Sequence, residues 1–365
     1  MSSARYTVID VFRGLGCMAI VFHHLAFYGP MSDVVGQTLP GLMDGLVRYG
    51  RQAVQMFFVF SGFFAAAHLA RHGSPAVFSW PVQVARRYRR LIVPYLFAVA
   101  FAMLVTALVR PWFVHESLSD APGFVQVLAH VLLLHDILGF QALSAGVWYV
   151  AIDFQLFVFA ALLCRATRTV PWGGTLLFPA MILLLTAVSL FAVNIHAQYD
   201  SLFFYFMGAY GLGMLAWWAI QPGFARGLPP LIVVLGVLAL LQQFRIPVLA
   251  ALVTAVVLVG AGRLQKLGAW PDHGVLVWLG HRSYSIFLVH FGVCVVFNAL
   301  WSRWFPDGFW VNAAGMLFAA GASVAAGAVL YRQVEVRPDL PGFNLRTGVL
   351  VLLVLATFMI ERSIR

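Results

Sequence analysis

Charge is what this chain has least of. Only 10% of its 365 residues are charged and 62% are hydrophobic, where a soluble domain carries roughly 25% charged residues. That excludes a soluble globular protein and makes the chain an integral membrane protein. Cysteine is nearly as scarce. Cys17, Cys164 and Cys294 are odd in number, widely spaced and set in apolar runs, which excludes a disulfide framework or a cysteine metal cluster and leaves three packed thiols. Short alternating strands do not recur, so an outer-membrane barrel is excluded. A phosphate-binding loop, a dinucleotide fingerprint and a nucleophile-elbow pattern are all missing, which argues against nucleotide hydrolysis. No small-residue cleavage site follows the first apolar run, which carries Asp10, so that run is expected to stay as a span.

What the chain does have is apolar length. Segments fall near 8–28, 52–70, 91–109, 124–138, 146–164, 174–193, 202–219, 228–243, 247–262, 278–302, 311–331 and 346–361. A straight span needs about 20 residues. Segment 124–138 is shorter and holds His130, His135 and Asp136, so it reads as re-entrant or interfacial. Basic residues favour the cytoplasmic side. With the N-terminus inside, the loop carrying Arg71, Arg86, Arg87, Arg89 and Arg90 is cytoplasmic. If 124–138 does not cross, Arg165, Arg168, Arg226, Arg263, Lys266, Arg332 and Arg337 fall on the same side, while Arg362 and Arg365 fall outside. The expected fold is therefore an all-α, polytopic transmembrane bundle of 10 to 12 membrane helices, eleven by the best count, in one domain over residues 1–365. The formal charge of +10 is taken up by this orientation signal and the lipid surface, and does not point to nucleic acid.

The few ionisable residues inside spans are site candidates by default, because an arginine at mid-bilayer costs roughly 2.5 to 3.5 kcal/mol even on the lenient insertion scale. The run RGLGCMAIVFHH sets Arg13 and His24 on one helix, about 16 Å apart in rise, and His23 points about 100° away from His24. Asp10 lies three residues before Arg13, on the same face, where a local ion pair lowers the cost of burying both. In GVWYVAIDFQLFVF, Asp153 interrupts another span beside Trp148 and Tyr149 at a depth matching that of His24. Asp153 is thus expected beside His24, fixing its tautomer and raising its basicity. A structural hydrogen-bonded pair is the competing reading. Ser61 and Gly62 in the second span read as a close-packing pair, and His290 lies well inside a late span. Glu335 reads as the partner of a neighbouring arginine. The arginines of RRYRRLIVPY serve as topology signal or as a clamp for a phosphorylated ligand. His23, His24, Asp153 and His290 lack the short-range spacing of metal ligands, and no metal is expected.

Taken together, these segments resemble the membrane acyltransferase-3 family of bacterial O-acyltransferases. IDVFRGLGCMAIVFHH is similar to that family's LDGLRGLAALLVVLFHH opening, FFVFSGFF to FFVLSGFL, RRYRRLIVPY to its Arg-rich segment ending in proline, and SYSIFLVHF to SYSLYLLHF. Where the family has W-S-L-x-x-E-x-Q-F-Y, this chain has W-Y-V-A-I-D-F-Q-L-F, which puts Asp153 at the glutamate position and Tyr149 at the serine. The resemblance implies an acyl-coenzyme A donor, with acetyl as the commonest acyl group. It also implies transfer to a hydroxyl of a carbohydrate or other envelope-associated acceptor, as in polysaccharide O-acetylation at a bacterial inner membrane. On this reading His24 is the general base with Asp153 in support. Arg13, Arg87 and Arg90 hold the coenzyme, while Asp10, Ser61, Trp148, Tyr149 and His290 line or support the site. The rival expectation is a proton-coupled transporter or exporter. A carrier would show internal symmetry with broken segments in corresponding halves, and the ionisable residues instead gather in the first 155 positions.

Overall fold

A computed structural model describes residues 6–170, 176–224 and 226–336. Among these residues the secondary structure is helical throughout, with no strand. In chain order the helices are α1 (Thr7–Phe27), α2 (Met31–Thr38), α3 (Pro40–Gly50), α4 (Ala53–Leu69), α5 (Trp80–Val109), α6 (Phe124–Val131), α7 (Val147–Arg168), α8 (Leu177–Val188), α9 (Phe203–Ala219), α10 (Leu228–Gln242), α11 (Ile246–Arg263), α12 (Val275–Trp304) and α13 (Phe309–Leu330). Among the described residues, seven stretches are long and apolar enough to cross a bilayer: Thr7–Phe27, Pro40–Leu69, Trp80–Val109, Val147–Arg168, Ile246–Arg263, Val275–Trp304 and Phe309–Glu335. Leu177–Val193 and Leu228–Gln242 are apolar and shorter, and α9 has 17 residues. Each expected span up to residue 331 therefore has its helix, and the fold is an all-α polytopic bundle. The last expected span, 346–361, lies outside the described residues, as do Arg337, Arg362 and Arg365. Segment 124–138 contributes only the eight residues of α6, about 12 Å of rise, too short to cross.

The chain divides into two compact units, Met1–Arg13 with Gln52–Tyr88 and Ala151–Val277, and Gly14–Arg51 with Arg89–Val150 and Trp278–Arg365. In the first, α4 packs along α9. A Cβ on Gly62 would overlap the carbonyl of Tyr210, and one on Gly213 would overlap that of Val59. Two glycines thus let the two backbones touch, which is how helices associate where lipid offers no hydrophobic drive. The same helices are tied at one end. Trp218 Nε1 donates to Ala70 O at 2.7 Å, Trp217 Nε1 to Arg71 O at 2.9 Å, and Cys164 Sγ to Leu69 O at 3.4 Å. Carbonyls at a helix C-terminus have no intrahelical donor, and here two indoles and a thiol supply donors. The start of α1 is satisfied likewise: Val8 N donates to Leu267 O at 3.0 Å.

In the second unit, Ala102, Val105, Val109, Phe113, Phe291, Val295 and Ala299 form a buried apolar cluster. The turn after α1 is clamped by one amide: Asn298 Nδ2 donates to Tyr28 O at 3.0 Å and its Oδ1 accepts from Met31 N at 3.4 Å. Pro94 inside α5 removes one helical hydrogen bond, that to Arg90 O, and the adjacent carbonyl, Leu91 O, accepts from Tyr284 Oη at 2.8 Å. After α6 the chain folds back through Leu133, a buried residue at φ +56°. His130 Nδ1 donates to Gln126 O at 2.8 Å, and its Nε2 accepts from Leu143 N at 3.1 Å. His135 stacks on the His130 ring at 4.0 Å between centroids. Burial, with a smaller contribution from His130, pushes the His135 imidazole down to about 3, and burial lowers His130.

Two outcomes are expected. Gly62→Ala or Gly213→Ala forces α4 and α9 apart and costs about 2 to 3 kcal/mol, read as a lower thermal midpoint in detergent. Because His135 is depressed in the folded state, its contribution to stability is complete above about pH 6.5. That contribution is lost as the pH falls toward 3, since the unfolded chain binds the proton first. Amide exchange over 133–140, corrected for intrinsic rates, should accelerate below pH 6.5 in the native protein and lose that dependence in His135→Phe.

Candidate active site

In the second unit, His24 occupies the last turn of α1 and His290 the middle of α12, both buried. His24 Nδ1 lies 2.6 Å from His290 Nε2, and His290 Nδ1 lies 2.6 Å from Phe287 O. The rings are 19° from coplanar with centroids 4.8 Å apart, an edge-to-edge arrangement that aligns the N–H with the facing lone pair. A carbonyl only accepts, so His290 carries its proton on Nδ1 and offers the Nε2 lone pair. His24 must then carry its proton on Nδ1, which leaves Nε2 unprotonated. The pair thus fixes the basic tautomer of His24 from the hydrogen-bond pattern alone.

Aromatic rings hold this arrangement. Tyr28 lies beside the His24 ring at 5.5 Å, and Phe291 meets Tyr28 edge-on at 5.2 Å. Tyr149 meets Phe287, the residue whose carbonyl accepts from His290, edge-on at 5.6 Å. His23 turns elsewhere, with Nδ1 at 3.3 Å from Leu46 O of α3. Ser285 Oγ donates to Glu335 Oε2 at 2.6 Å, which makes a serine one partner of Glu335.

In the first unit, Arg87 Nη2 donates to Asp153 Oδ2 at 2.6 Å, and the guanidinium lies 4.6 Å from the Phe157 ring centroid. Where the sequence offered Asp153 as the support for His24, the structure gives Asp153 the Arg87 guanidinium as a partner, and His290 supplies the hydrogen bond to His24 Nδ1. The reason is energetic. A buried carboxylate gains more from a guanidinium, which brings full opposite charge and directed N–H groups, than from a neutral imidazole. Arg87 is likewise drawn out of the exposed arginine run. On α5, Arg86, Arg89 and Arg90 share the exposed face by i, i+3 and i+4 spacing, while Arg87 is half-buried. Asp10 and Arg13 stand half-buried in the first turns of α1, Ser61 is half-buried in α4, and Trp148 is half-buried at the start of α7.

Sequence reasoning missed the Phe287 carbonyl, the Asn298 clamp and the Tyr284 anchor. The signal was present in part, since SYSIFLVHF contains Tyr284, Ser285, Phe287 and His290. Side chains of 23% and 5% exposure make the Arg87–Asp153 pair largely buried. Arg87→Leu is expected to cost about 3 kcal/mol by stranding the carboxylate, and the double variant Arg87→Leu/Asp153→Leu to recover most of it. Thermal unfolding of the purified variants measures both.

The comparisons with known proteins agree with this architecture. A family model described as an acyltransferase domain matches residues 6–332. A curated relative, the regulator of hypoxia-inducible factor 1 of Caenorhabditis elegans, is 24% identical over 186 residues, which cover 47% of this chain and 36% of the relative. The chain thus spans about a third of that relative's length. No solved structure matches. With the thirteen described α-helices inside the matched range, the chain belongs to the acyltransferase-3 family and is an integral membrane protein.

Proposed function

We propose that the protein is an O-acyltransferase that moves an acyl group, acetyl in the simplest case, from cytoplasmic acyl-coenzyme A to a hydroxyl of a carbohydrate or other envelope-associated acceptor. The observation that carries this reading is the His24–His290–Phe287 chain. A general base must present an unprotonated nitrogen to the reacting hydroxyl, and that chain reserves His24 Nε2 for the purpose.

The acceptor hydroxyl gives its proton to His24 Nε2 as its oxygen bonds to the thioester carbonyl carbon. The carbon–sulfur bond then breaks, and the departing coenzyme A thiolate takes the proton from the imidazolium. His290 stays neutral throughout, accepting from His24 Nδ1 in both charge states and donating to Phe287 O. It is a positioning residue that keeps the ring aimed and stabilises the transient cation by hydrogen bonding. Arg87 serves indirectly by holding Asp153.

The test is acceptor-dependent release of free coenzyme A from acetyl-coenzyme A in proteoliposomes. His24→Ala is expected to lower turnover at least about 100-fold, the usual range for a lost general base. His290→Phe, which keeps the ring volume but removes the acceptor nitrogen, should lower turnover with little change in acceptor KM. Full activity in His24→Ala would remove the assignment.

A further inference from the structure

The first unit holds a second feature that the transfer step above does not use. A cavity of about 360 Å3 opens at the end of α7, lined by Arg165, Arg168, Thr169, Ala76 and Phe78. Resting on the acyl-coenzyme A reading for the identity of its ligand, we infer that this cavity binds the adenosine 3′-phosphate 5′-diphosphate end of the donor. The two guanidinium groups would hold the phosphates and Phe78 would form the face against which the base packs.

Three observations carry the inference. The charge is of the right kind: two arginines at i and i+3 on the last turn of α7 share one face, and planar guanidinium forks match phosphate oxygens bidentately. The wall opposite them is aromatic. Phe78 lies near the His68 ring, at 6.3 Å between centroids, and His68 Nε2 is in turn 3.0 Å from Gln83 Oε1 of α5.

The third observation is that the loop carrying the wall is held in place. Ala76 N donates to Leu69 O at 2.8 Å, and the same Leu69 carbonyl accepts from Cys164 Sγ one turn before Arg168. The two indoles of α9 fasten Ala70 and Arg71, and Thr169 Oγ1 donates to Ala166 O at 2.8 Å. Helices α4, α7 and α9 therefore fix both sides of the cavity before any ligand arrives, which lowers the ordering cost of binding. A volume of about 360 Å3 falls in the range of small-molecule sites, about 300 to 1,000 Å3.

Adenosine 3′,5′-bisphosphate serves as the probe, because its binding can be read without catalysis. Calorimetry in nanodiscs of phosphatidylcholine alone should show binding to the native protein. The dissociation constant should rise at least about tenfold in Arg165→Gln/Arg168→Gln, since removing a charge-assisted hydrogen bond weakens binding by about a factor of ten or more, and should also rise in Phe78→Ala. Equal binding by the native protein and the arginine variant would overturn the inference. So would no binding by the native protein, with the variant instead retaining less phosphatidylglycerol than the native protein from mixed-lipid discs. That last result would make the cavity a lipid-headgroup site. Acetyl transfer from acetyl-coenzyme A by the native protein is measured alongside. Its absence would count against the proposed donor reaction, whereas its presence with unaltered bisphosphate binding in the arginine variant would count against this site alone.

Discussion

A polar side chain set among hydrocarbon has no water to fall back on, so every buried donor and acceptor in this protein must be answered from within the fold. The hydrogen bond between His24 and His290 is where that constraint becomes chemistry. It draws His24 Nδ1 onto a lone pair, passes the demand on to the Phe287 carbonyl, and leaves one nitrogen of His24 unprotonated. The same constraint explains why Asp153 and Arg87 meet, and why α4 ends under two indoles and a thiol.

The helices that carry the histidines are secured by side-chain clamps on backbone groups, which leave the reactive side chain alone. Asn298 fixes the turn that closes α1, within one turn of His24. Tyr284 fixes α12 to α5 beside the proline interruption, and His290 follows less than two turns later on the same helix. A catalytic imidazole on rigid, clamped helices keeps its aim better than one on a loop. In the first unit, the glycine contact between α4 and α9 serves the same end by removing the slack that side chains would introduce.

Much of this was legible in the sequence. The spans were visible as runs of apolar residues, and the short, polar segment 124–138 was separable from them by length alone. Arg13, His24, Asp153 and His290 stood out because each is costly to bury. What could not be read was which of them meet. Depth along a helix follows from counting residues, and on depth Asp153 was an equally good neighbour for His24. Azimuth depends on packing between helices remote in sequence, and the 266-residue separation between His24 and His290 leaves no local trace. The arginine run was likewise read as one cluster, although the 3.6-residue period already set Arg87 apart from Arg86, Arg89 and Arg90.

The central claim is that a second histidine, and not a carboxylate, sets the protonation of the base. Nitrogen-15 solid-state NMR of histidine-labelled protein in lipid at neutral pH tests it directly, with His24→Gln and His290→Gln used to assign the signals. The account predicts His24 with a protonated Nδ1 and an unprotonated Nε2, a through-hydrogen-bond coupling between His24 Nδ1 and His290 Nε2, and reversion of His24 to a tautomer mixture in His290→Phe. A His24 ring protonated at Nε2, or one whose tautomer ignores the loss of His290, would contradict it.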